Sequence, residues 1–177
     1  MDILDYSRAS LNSQELFELP LQQLAYNCLT SNNYVSPFEE AYMNKDIRAI
    51  NTDKAPKANG PYSQAIAAGP FLFISGQLPT DPKVGKIVAS TIEEQTKQVI
   101  DNIEAILNSE GLTLEHVVKA DVFLKDMQDF QQMNGIYAER FNHAAKPARL
   151  TVQVARLPLD VRIEIACIAY RGMNLSQ

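Results

Sequence analysis

Only two cysteines, Cys28 and Cys167, occur in the 177 residues, so no disulfide framework holds this chain together. Neither sits in a CxxC pair or a Cys/His cluster, which removes the usual zinc spacings, and no metal site or cofactor is expected. Histidine is equally scarce: His116 and His143 stand alone, and both are read as ordinary structural side chains. Clusters of lysine and arginine are missing. With a formal charge of −5 and a pI near 5.0, the chain is not expected to take nucleic acid as its main partner. No apolar run reaches the ~18 to 20 residues that span a bilayer, so a membrane partner is not expected either. The first residues lack a charged-then-apolar leader, and Asp2 and Asp5 fit a transit peptide badly. The expected location is the cytoplasm.

What is present is ordinary globular material. Hydrophobic residues make up 46% and charged residues 21%, enough for a sizeable core without staples. Residues 1–46 stand apart as an N-terminal extension. Leu11, Leu16, Leu19, Leu21, Leu24 and Leu29 suggest one or two short amphipathic helices, with Asn12 and Glu15 as a capping pair and Pro20 as a break. A flexible leader is the alternative.

The pattern changes near residue 47, where a domain running to residue 177 is expected. RAINT reads as a short strand, and the KAPKANGP stretch is turn-rich. SQAIAAG and FLFISG follow as strands about a Gly69-Pro70 turn, the second apolar enough for a central strand buried on both faces. After the loop PTDPKVGK, IVA is expected to pair briefly. Ser90 or Thr91 then caps a helix with Glu93 and Glu94 in its first turn and Ile92, Thr96, Val99, Ile103, Ile106 and Leu107 on one face. Gly111 is expected to end it. VVKADVFL is a strand. Asp126 or Asp129 starts a second helix, with Phe130, Met133, Ile136, Tyr137 and Phe141 on one stripe. ARLTVQVARL and VRIEIACIAY are the closing strands. The expected fold class is α+β, a mixed sheet with both helices on one face. The other face is apolar, and oligomerisation would cover it.

Five segments, in this order, resemble one known family: GPYSQA (60–65), FISGQLPTDPKVGKI (73–87), VVKADVFLKDMQDFQQMNGIY (117–137), PARLTVQVARLP (147–158) and VRIEIACIA (161–169). Together they resemble the RidA (YjgF) family of imine and enamine deaminases over residues 48–172. The resemblance implies a chorismate-mutase-like fold and a homotrimer with a barrel-like core and active sites between subunits. It also implies hydrolysis of 2-iminobutanoate and 2-iminopropanoate, or their enamines, to 2-oxo acids and ammonia, without cofactor or metal.

The same resemblance assigns roles. Arg149 would hold the substrate carboxylate through its planar fork, a charged contact contributing about 1.5–3 kcal/mol. Glu164, on an otherwise apolar strand and facing away from Ile163 and Ile165, would orient or deprotonate the attacking water, an effect of about 10²–10⁴-fold. Tyr62, presented by the Gly60-Pro61 turn, would pack beside the substrate. Asn134 would hydrogen-bond it, and Ser75, Gly76 and Gln77 would line the cleft. Each also has a plain structural reading: a surface ion pair for Arg149, an exposed strand acid for Glu164, core packing for Tyr62. Three features depart from the family pattern. Thr151 stands where many members have cysteine, Leu150 replaces a small residue, and the NHAAK loop (142–146) is short, with Lys146 in a usually aromatic place. Thr151 would supply a hydroxyl to substrate or water. The rival reading is a non-catalytic protein of the same fold, one that senses a 2-oxo acid or amino acid or acts as a chaperone. A ribonuclease fits the acidic composition poorly.

Overall fold

The structure is a computed structural model, and it describes residues 47–172. The expected extension at 1–46 lies outside the described residues.

Chain-local chemistry sets each element. Strand β1 (Ile47–Ile50) pairs antiparallel with β2 (Ala65–Ala68), and β2 turns into β3 (Phe71–Gln77) through Gly69, whose φ of 54° suits glycine. Two short strands, β4 (Thr80–Asp81) and β5 (Lys86–Ile87), form a separate hairpin, so the brief pairing falls at Lys86–Ile87 rather than along IVA. Helix α1 (Ile92–Asn108) opens on a capping box. The Glu94 amide donates to the Thr91 hydroxyl at 3.2 Å, and the Thr91 amide donates to the Glu94 carboxylate at 3.2 Å. The Ser90 and Thr91 amides, both donating to it, hold the Glu94 carboxyl below its usual range. The helix stops at Asn108 and Gly111 (φ 70°) ends it as expected: from left-handed backbone its amide donates to the Asn108 carbonyl at 3.2 Å, and the Leu112 amide donates to the Leu107 carbonyl at 3.0 Å.

Strand β6 (Val117–Leu124) leads through a single 3₁₀ turn capped by Asp126 into α2 (Phe130–Arg140). Strands β7 (Ala148–Gln153) and β8 (Ile163–Tyr170) close the domain. Both are shorter than expected. β7 stops at Gln153, and β8 begins only after a turn in which Leu159 (φ 55°) and Asp160 (φ 57°) take left-handed backbone.

The six strands run in the order β1-β2-β3-β8-β6-β7, with β6 and β7 parallel and every other pair antiparallel. Helices α1 and α2 pack against each other and over one face. The core lies between. Strand β8 alternates cleanly, with Ile163, Ile165, Cys167 and Ala169 buried against the helix layer. Ile100, Ile103, Leu107 and Met133 meet them from the helices, all fully buried. Burial pushes the Cys167 thiol up to about 12, so it stays a protonated small hydrophobe.

The other face is open in the single chain. Phe71 and Phe73 are 39% and 44% exposed and Leu150 is 49% exposed. The expectation that FLFISG is buried on both faces is therefore corrected: only Leu72, Ile74 and Gln77 of β3 face the helix layer.

Candidate functional site

The residues singled out in the sequence fall into two groups, on opposite faces of the sheet. Register decides this. Arg149 pairs with Ala120, and Ala120 pairs with Cys167, which places Arg149 and Thr151 on the helix side. Glu164 pairs with Phe123, one register position out of phase, and so lies on the open side.

The first group surrounds a cavity of about 530 Å³ at the open face. A β-bulge makes it. Between Ile74 and Gln77 the register on β8 shifts by one residue, which places Ser75 and Gly76 together opposite one partner. A Cβ built on Gly76 would stand 1.9 Å from Glu164 Oε1, so the carboxylate occupies the space that the missing side chain leaves. Glu164 is half-buried, and its carboxyl is raised above its ordinary range by burial alone. The Ser75 hydroxyl donates to the Ser63 carbonyl at 2.7 Å, and the Gln77 amide donates to the Ser75 carbonyl at 3.0 Å. Both side chains thus fix the bulge. Tyr62 is 53% exposed and lines the cavity mouth, its hydroxyl accepting from the Asn59 amide at 3.3 Å.

Two wall residues were not singled out beforehand. Gln64, only 3% exposed, ties down the 51–57 loop. Its amide nitrogen donates to the carbonyls of Thr52 (3.0 Å), Ala55 (3.2 Å) and Pro56 (2.8 Å), and its oxygen accepts from the Thr52 amide at 2.6 Å. A glutamine next to the apolar run AIAA was the signal that could have found it. Leu159, 74% exposed, lines the opposite rim from its left-handed turn. No local pattern marks that conformation for a leucine.

The second group is built on α2. Phe130, Asn134 and Tyr137 stand at i, i+4 and i+7, a single helical face, and Arg149 of β7 lies across it. Its Nη1 donates to Asn134 Oδ1 at 2.9 Å. The guanidinium carbon is 4.6 Å from the Tyr137 ring centroid and 5.8 Å from that of Phe130. Asn134 therefore contacts the arginine directly. Among the described residues no carboxylate pairs with Arg149, so its remaining donors are unspent. The hydroxyls of Thr151 and Tyr137 are buried without a hydrogen-bond partner among the described residues.

A clip joins the elements that bear the two groups. Arg162, next to Glu164 at the start of β8, donates Nε to Asp129 Oδ2 (2.9 Å) and Nη2 to Asp129 Oδ1 (2.5 Å) at the start of α2. Among the described residues no cluster of three or more histidine, cysteine or acidic side chains could hold a metal, and no helix is long and apolar enough to cross a membrane.

Residues 52–171 match the family described as Endoribonuclease L-PSP. A RutC family protein of Pyrococcus horikoshii is 58% identical over 122 residues, covering 69% of this chain and 96% of that protein. Reactive Intermediate Deaminase A, chloroplastic, of Arabidopsis thaliana is 49% identical over 120 residues, 68% of this chain and 64% of that one. Among solved structures, E. coli TdcF with bound serine superposes with a TM-score of 0.67 at 41% identity, over 71% of this chain and 99% of that chain. The α+β fold is the one these neighbours share. The family match, the identity to curated relatives over most of their length and the shared fold agree with the five ordered sequence segments: this chain belongs to the Endoribonuclease L-PSP family, the RidA (YjgF) group that includes the RutC proteins and Reactive Intermediate Deaminase A.

Proposed function

We propose that this chain hydrolyses reactive 2-imino and 2-enamino acids, 2-iminobutanoate and 2-iminopropanoate among them, to 2-oxo acids and ammonia, at sites formed between copies of the chain in a homotrimer. The observation that carries this reading is a set of complementary half-sites: an arginine fork that, among the described residues, bonds only Asn134, and on the other face a half-buried carboxylate with no cation beside it among those residues. Within one chain the two cannot meet, because the sheet lies between them. Bringing the open face of one copy against the β7 edge of another would join them, and the exposed Phe71, Phe73 and Leu150 supply apolar surface for such a contact.

The chemistry follows from the groups present. The substrate carboxylate accepts two hydrogen bonds from Arg149. Water adds to the carbon of the protonated imine while Glu164 removes one of its protons, giving a neutral carbinolamine. That proton then passes to the nitrogen, the C–N bond breaks with the electron pair leaving on ammonia, and Glu164 takes the hydroxyl proton as the carbonyl forms, passing it to ammonia so that ammonium departs. A carboxyl raised by burial suits both halves of that shuttle, since the proton must be taken and then returned. The fold neighbour with bound serine, a carboxylate-bearing amino acid, supports a carboxylate anchor. The acidic composition weighs against the RNA cleavage that the family description suggests.

The test generates iminopropanoate with an amino-acid oxidase and traps it with semicarbazide. Hydrolysis by this protein should suppress trapping, and Arg149→Ala should abolish the suppression while leaving the assembly intact. No suppression by the folded protein would instead favour a sensing role, which then requires a 2-oxo acid at Arg149 without turnover.

A further inference from the structure

We infer that Tyr137 is a positioning residue for Arg149: its ring is the platform that holds the guanidinium plane so that the donors not used by Asn134 stay free for a carboxylate. This rests on the reading that Arg149 receives the substrate carboxylate.

Four observations converge on the ring. It lies 4.6 Å from the guanidinium carbon, closer than Phe130 at 5.8 Å. It is itself immobilised, being 6% exposed and stacked on Phe141 at 4.3 Å with 22° between the planes. It belongs to the same helical face as Asn134, so one rigid element sets both the plane and the in-plane hydrogen bond of the arginine. Its hydroxyl is buried and bonds to nothing among the described residues, so the contact belongs to the aromatic face and not to the phenol. Arg149 is otherwise an exposed, long side chain on an edge strand, free to sample many rotamers. Held between a ring and an amide, it is ordered before the ligand arrives.

The experiment keeps the shape and changes only the ring's electrons. Position 137 is replaced by phenylalanine and then by the same ring bearing one, three and five fluorines, which progressively remove the negative face that attracts the cation. Tyr137→Phe sets the reference for the series. Along the fluorine series KM should climb stepwise, by about 2- to 30-fold in total, with kcat nearly unchanged. A flat KM across the series, or a fall in kcat at constant KM, would overturn the platform. The affinity of the same series for the 2-oxo acid product, measured by calorimetry, separates this inference from the proposed activity. If the parent fails to hydrolyse imine yet affinity still falls stepwise, the platform stands and the deaminase reading falls. If the parent is active while both KM and affinity stay flat, the platform alone falls.

Discussion

Glu164 owes its place to the absence of an atom. Gly76 leaves a gap that the carboxylate fills, and a methyl group there would collide with it at 1.9 Å. What collides is the flexible end of a side chain, so the backbone need not move. Gly76→Ala should therefore unfold within about 1 kcal/mol of the parent while kcat falls by about 10²-fold or more, as expected when a general base is displaced. Urea titration beside the trapping assay checks both halves, and parental activity in that variant would separate Glu164 from catalysis. The raised carboxyl also fixes a sign for pH. The acid limb of kcat/KM should lie above the ordinary glutamate value of about 4.3. Because the folded chain disfavours the ionised form, Glu164→Gln should be more stable than the parent above that raised pKa. The advantage should disappear as pH falls through the unfolded value, which thermal melts across pH would show.

At the scale of elements, the cavity wall depends on one buried amide. Gln64 satisfies three carbonyls and one N–H of the 51–57 loop, and Gln64→Leu leaves all four without it. A loss of about 2–3 kcal/mol is expected, and exchange of the Thr52 amide hydrogen should accelerate ahead of the core strands. Unchanged protection at Thr52 would mean the loop is held from elsewhere. Much of this level was legible in the sequence. The period of Ile92, Val99, Ile103 and Ile106 and the Thr91/Glu94 pair made α1 plain, and the strict alternation of IEIACIAY made β8 plain. The bulge at Ser75–Gly76 was not legible, because nothing in FISGQ says which residue is skipped by its partner. Nor was the left-handed Leu159-Asp160 pair, since aspartate visits that conformation more readily than most residues but leucine does not. Asn134 was found, but its contact with Arg149 was not, since a parallel crossover sets which residue of β7 lies under α2.

For the whole molecule, the decisive fact is parity. Arg149 and Glu164 look like partners along the chain, and the register of β7 on β6 and of β8 on β6 puts them on opposite sides of the sheet. In the proposed homotrimer a working site would then take its arginine from one copy and its carboxylate from another. Subunits bearing Arg149→Ala and subunits bearing Glu164→Gln should each be inactive alone. Unfolded, mixed in equal amounts and refolded, they should recover about a quarter of the parent's sites, because three in four random trimers are hybrids with one intact site in three. No recovery would place both residues in one subunit's site. The same parity ties output to abundance. On the proposed reading a lone copy would hold both groups and no complete site, so specific activity should fall on dilution as copies part and return on concentration.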